Sequence, residues 1–70
     1  MEMTAVESST IDEIGYDAEK QVLKIKFDNG EAYKYMGVPE ATYKKLMKAK
    51  SKGKFFNAHI KDKFEAKQCD

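Results

Sequence analysis

The sequence predicts an α+β domain: a small antiparallel sheet of about three strands around a central hairpin, packed with two C-terminal helices. Three observations carry that expectation. Residues 22–27 alternate, with Leu23, Ile25 and Phe27 on one face and Val22, Lys24 and Lys26 on the other, which is the period of two expected of a half-buried strand. Asp28-Asn29-Gly30 supplies hairpin-turn chemistry before a return strand from Glu31 to Met36. Beyond Pro39 the apolar spacing becomes helical, and strands followed by helices read as α+β.

Taken in order, residues 1 to about 6 and 67–70 read as frayed ends. Thr10 to Tyr16 has an imperfect strand pattern, with Ile14 and Tyr16 two apart, and Asp17-Ala18-Glu19-Lys20 is a polar turn. The hairpin admits two registers. A two-residue loop at Asn29-Gly30 pairs Lys26 with Tyr33 and sets Tyr33 and Tyr35 beside Lys24 and Lys26, an exposed aromatic and basic face. A three-residue loop with Gly30 in the left-handed region pairs Phe27 with Glu31 and Ile25 with Tyr33, which turns both tyrosines to the apolar side, because a one-residue slip reverses every side chain. A domain this small can ill spare two aromatics from its core, which favours the bulged turn.

Val38-Pro39-Glu40 begins a helix, with Pro at the first helical position and an acid at the positive end. Thr42, Tyr43, Leu46, Met47 and Ala49 cluster on one side of it, and Lys44, Lys45 and Lys48 point the other way. Ser51 and Gly53 interrupt the pattern. A second helix, roughly Lys54 to Ala66, presents Phe56, Ile60 and Phe64 at spacings of four.

Seventy residues make one domain, near the lower limit for a core without staples. Cys69 is the only cysteine, so no internal disulfide forms; with no apolar signal segment, a cytoplasmic location is expected. No stretch approaches the roughly 20 apolar residues of a membrane span. Net charge is only +1, but it is unevenly spread: residues 1–31 carry eight acids and three lysines, and residues 33–54 carry seven lysines against Glu40. That allows one basic face, although small soluble proteins also dress helices in lysine.

The run Leu23-x-Ile25-x-Phe27-x-x-Gly30-x-x-Tyr33-x-Tyr35-x-x-Val38-Pro39 closely resembles the KTSC domain, a module named for its place at the C-terminus of some bacterial lysyl-tRNA synthetases. So do Ser8-Ser9 with Ile14-Gly15-Tyr16, and the downstream pattern from Tyr43 through Leu46, Ala49, Ser51, Gly53, Phe56 and Asn57 to Ile60. Tyr33-x-Tyr35 matches the family's Y-x-Y hallmark, and the resemblance spans roughly residues 6–64 of the single domain 1–70. It implies a suggested role in RNA binding and no established activity.

The residues themselves argue against catalysis. His59 is the only histidine, and Cys69 sits in an expected tail without an evident base. Asp12, Glu13, Asp17 and Glu19 lack calcium-loop spacing, and Ser51-Lys52-Gly53-Lys54 is not a nucleotide-binding P-loop; no cofactor or metal is expected. The junction between the helices is more suggestive. Lys52 and Lys54 stand at an expected helix N-terminus, where cations are disfavoured, and local rules are often broken at functional sites. With Ser51, Gly53 and Asn57 they compose a candidate anion site. The competing reading makes Ser51 a cap, Gly53 a turn-former and Asn57 a tie to the sheet.

Two functions follow as expectations. One is a non-catalytic RNA-binding module that uses Lys44, Lys45, Lys48, Lys52 and Lys54 for phosphates, with Tyr33, Tyr35 and Tyr43 as candidate stacking residues. Because the chain has no arginine, such binding should be weak, salt-sensitive and poorly selective. The other is a bacterial or phage interaction module that engages a host protein or sequesters a small phosphate-bearing ligand near Ser51–Asn57.

Overall fold

The computed structural model describes residues 2–69. Five strands, β1 (Met3–Ala5), β2 (Ile11–Asp17), β3 (Val22–Phe27), β4 (Ala32–Met36) and β5 (Glu65–Cys69), form one antiparallel sheet in the order β1-β2-β3-β4-β5. Two helices, α1 (Glu40–Lys48) and α2 (Lys52–His59), lie between β4 and β5 in the chain. The α+β class stands, but the sheet has five strands where about three were expected.

The hairpin takes the bulged register. Ile25 pairs with Tyr33 and Leu23 with Tyr35, and the Phe27 N–H donates to the Glu31 carbonyl at 2.8 Å. The Gly30 N–H closes the turn onto the Phe27 carbonyl at 3.0 Å, with Gly30 at φ +90°, a conformation that costs glycine nothing and other residues about 1 kcal/mol or more. The imperfect pattern of β2 has a similar cause. Ile11 and Ile14 are three apart, so a regular strand would send them to opposite faces. A register shift between Ile11 and Glu13 inserts an extra residue, and both isoleucines become buried.

One sheet face and the helices enclose the core. Ile11, Ile14, Leu23, Ile25, Val38, Leu46 and Ile60 have at most 1% of their surface exposed, and each such side chain contributes on the order of 1.5–3 kcal/mol of burial. Phe56 of α2 sits against both hairpin strands, its ring 5.4 Å from Phe27 and 5.3 Å from Tyr35, in each case edge to face. The β2–β3 turn is set by Asp17, whose Oδ1 accepts from the N–H groups of Glu19 and Lys20 at 3.1 and 3.3 Å.

Other boundaries depart from expectation. Pro39 precedes α1 as its N-cap, with an extended ψ of 149°, rather than occupying the first helical turn. The second helix begins two residues earlier than expected and ends at His59, not near Ala66. Ile60 is committed to the core, and Asp62 adopts a left-handed φ of 64° that turns the chain back along β4; Asp is among the residues that tolerate it. Phe64 therefore packs against the core from a connection and not from a helix. The ends expected to fray are β1 and β5, while Met1 and Asp70 lie outside the described residues. No helix among the described residues is long and apolar enough to cross a membrane.

Candidate functional site

On α1 the apolar stripe buries Leu46 and half-buries Thr42, Tyr43 and Met47, which leaves Lys44, Lys45 and Lys48 exposed on the outward face. The helical wheel thus placed these three lysines on the solvent side. Lys45 and Lys48 occupy the last turn, where the helix dipole favours cations.

The junction after α1 is a shallow hollow. Glu7, Ser8, Ser9 and Thr10, from the loop before β2, line it together with Lys50, Ser51, Lys52, Gly53, Lys54 and Asn57. Three of its side chains, those of Ser8, Ser51 and Lys52, have a local task. Ser51 is the N-cap of α2, its Oγ accepting from the Lys54 N–H at 3.4 Å. Ser8 Oγ accepts from the N–H groups of Thr10 and Ile11, both at 3.2 Å, and so shapes the loop before β2. The Lys52 ammonium donates to the Ala49 carbonyl at 3.2 Å. That contact puts a cation on the C-terminal end of α1, which offsets its unfavourable place at the start of α2. Lys52 is therefore less anomalous than its position in the sequence implied. Gly53 lies inside α2 and makes no turn; a methyl group there would meet Thr10 Oγ1 at 3.5 Å, an ordinary contact. Asn57 is exposed on α2 rather than tied to the sheet, so its amide is available at the hollow.

The tyrosines do not form an open stacking platform. Tyr43 lies flat against Tyr16, with ring centroids 4.6 Å apart and planes within 8°. The Tyr16 hydroxyl donates to the Val38 carbonyl, and burial, followed by the charges of Glu40 and Asp17, raises its pKa. Tyr35 is 6% exposed. Its pKa is pushed up to about 12, chiefly by burial and then by Tyr33 and Asp62. Tyr33 is half-buried, its ring 6.0 Å from Phe27 at 71° and its hydroxyl 3.4 Å from a Glu31 carboxylate oxygen.

What the sequence reading missed is a cavity of about 570 Å³ between the hairpin, α2 and the connection into β5, within the size range of small-molecule sites. Phe27, Tyr33, Tyr35, Phe56 and Phe64 form its wall, and Thr10, Asn57, Lys61 and Asp62 contribute polar groups. Thr10 and Asn57 line both this cavity and the junction hollow, so the two adjoin. The signal was present in the sequence as aromatics at 27, 33, 35, 56 and 64, but a sheet-and-helix packing accounts for such residues without any space between them.

His59 is exposed, its ring 4.6 Å from Phe55. Cys69 is a partly exposed free thiol on β5. Among the described residues, no three His, Cys, Asp or Glu side chains converge as a metal site.

The family model of the KTSC domain matches residues 7–64. The chain is 41% identical over 64 residues to a protein of Tsukamurella paurometabola, covering 91% of this chain and 96% of that one. A lysine–tRNA ligase of Nostoc punctiforme is 42% identical over 62 residues, which amount to 89% of this chain and 11% of the ligase. The crystal structure of a KTSC domain protein from Yersinia pestis superposes with a TM-score of 0.94 at 41% identity, covering 99% of this chain and 97% of that one.

Proposed function

The chain belongs to the KTSC domain family, and from that premise we propose that it is a small non-catalytic module that binds single-stranded RNA weakly and with little sequence preference. The observation that carries the reading is the run of cations from Lys44, Lys45 and Lys48 on the outward face of α1 into Lys50, Lys52 and Lys54 around the junction hollow. Point charges on flexible stems hold phosphates without fixing the bases, so affinity is electrostatic and selectivity low. The presence of a similar stretch in a protein named for ligating lysine to tRNA supports RNA as the polyanion.

A salt titration tests this. With about four lysines on phosphates, log K falls against log salt with a slope near −3, at roughly −0.7 per contact. Replacing Lys44, Lys45 and Lys48 by Gln weakens binding to all sequences alike and flattens the slope. Unchanged affinity in that triple variant removes the α1 face from the site.

The hydroxyls of Ser8, Ser9 and Thr10 beside Lys50, Lys52 and Lys54, three cations against the single acid Glu7, favour a second reading, in which the hollow holds a small phosphate-bearing ligand. Sulfate at 100 mM then raises the melting midpoint of the native protein more than that of Lys52→Gln/Lys54→Gln. Equal increments show only the general exclusion of sulfate from protein surfaces.

A further inference from the structure

We propose that the aromatic cavity receives one unpaired nucleobase while the adjoining junction hollow holds that nucleotide's phosphate, so that the two hollows together form a site for a single nucleotide unit. The proposal rests on the RNA reading for its polymer but not for its chemistry.

The wall sets the shape. Phe56 meets Phe27 at 69° and Tyr35 at 76°, and Phe27 meets Tyr33 at 71°. Rings that meet near right angles make a corner, which a flat ring fills with its face on one wall and its edge on the next. An aliphatic ligand would gain the same burial, so the polar groups decide between them. Asp62 stands at the cavity with its carboxylate near enough to Tyr35 to add to the cost of ionising that phenol. A carboxylate there accepts hydrogen bonds from a ring or exocyclic N–H, and with Lys61 beside it the cavity carries no net positive charge to draw an anion. Asn57 offers one carbonyl and one amide group, which together match the acceptor–donor edge of a base.

The charge pattern fixes the direction. Across the shared residues Thr10 and Asn57 the surroundings change from aromatic rings with Lys61 and Asp62, whose charges balance, to hydroxyls with Lys50, Lys52 and Lys54 against Glu7, a net positive end. A ligand that satisfies both halves has a flat, hydrogen-bonding ring at one end and an anion at the other. A nucleoside phosphate has that composition. The open stacking platform suggested by the tyrosine positions is thus replaced by insertion of a single base, which explains how Tyr33 and Tyr35 can contribute while belonging to the core.

The test compares three probes: a ten-nucleotide single-stranded RNA, an abasic ribose–phosphate oligomer of equal length and charge, and free AMP and CMP. Each is titrated against the native protein, Ala66→Leu and Tyr33→Leu. Ala66 lines the cavity from β5 beside Tyr35, so leucine there intrudes on the space a base would occupy without removing core packing; Tyr33→Leu trims the wall and serves if the first variant folds poorly. The expected result is RNA binding about 5-fold or more tighter than the abasic oligomer, with that ratio falling to about one in both variants and the salt slope unchanged. Equal affinity of the native protein for RNA and abasic oligomer overturns the base pocket while leaving the electrostatic RNA reading intact. Binding of AMP or CMP that Ala66→Leu abolishes, with no gain for either oligomer, supports the nucleotide site and overturns RNA as its source. Absence of binding by every probe at low salt overturns both.

Discussion

Tyr35 combines a buried ring with a phenol whose ionisation the fold opposes. Its pKa is raised from 10.0 to about 12, with burial as the largest cause. The neutral phenol is favoured in the folded chain, so its contribution to stability is complete below pH 10 and disappears as pH rises toward 12, because the unfolded chain ionises first. Solvent reaches part of the phenol and screens it, so the full loss stays below the roughly 2–3 kcal/mol that the shift alone implies. Tyr35→Phe keeps the ring packing and removes the proton. Urea unfolding between pH 10 and 12 should therefore decline more steeply for the native protein than for Tyr35→Phe, with lysine titration common to both. Parallel declines would show that the phenol ionises alike in both states. A second tyrosine acts structurally at the same scale: Tyr16 stacks on Tyr43 and donates to the Val38 carbonyl, fixing the entry to α1 from which the exposed lysines project.

Among the elements, β3, β4 and β5 break a pairing rule on the sheet face away from the core. Lys24 lies directly opposite Lys34, and Lys34 directly opposite Lys67, and like charges so placed repel. Lys34→Glu converts both pairs to opposite charges and should stabilise the fold by about 1 kcal/mol at low salt, less at high salt. Thermal unfolding at two ionic strengths measures this. The same variant locates the RNA surface: a loss of affinity as large as that of the Lys44/Lys45/Lys48 triple variant would move it to the open sheet face. The hairpin was legible in the sequence because alternation and turn chemistry locate it, while the demand for core aromatics chooses between the two registers that the turn admits. β5 was not, since Glu65-Ala66-Lys67-Gln68-Cys69 has no apolar alternation and becomes a strand through pairing with β4. The junction was legible as a cluster of lysines, but not in its detail. Lys52 reaches back to Ala49, and Thr10 approaches from a loop more than forty residues away in sequence, a contact that only the fold creates.

At the scale of the whole molecule, the family match covers residues 7–64, which contain β2, β3, β4 and both helices but neither edge strand. The two edges are not equivalent. β1 pairs with β2 through three residues, Met3 to Ala5, whereas β5 pairs with β4 through five, and Ala66 also lines the aromatic cavity. Removing residues 65–70 would leave β4 as an unpaired edge carrying Tyr33, Tyr35 and Met36, the kind of edge that recruits other strands. Removing residues 1–5 would expose only β2, whose edge carries Asp12, Glu13 and Asp17. The expected outcome is that the C-terminal truncation lowers the melting midpoint more than the N-terminal one, by about 4–8 °C for each kcal/mol lost. It should also produce concentration-dependent association in light scattering. If instead the two truncations lower the midpoint equally and both stay monomeric, β5 is an adornment of a four-stranded core. Loss of base-dependent RNA binding in the C-terminal truncation alone would tie that strand to the cavity, because the charges at Lys44, Lys45 and Lys48 remain in both proteins.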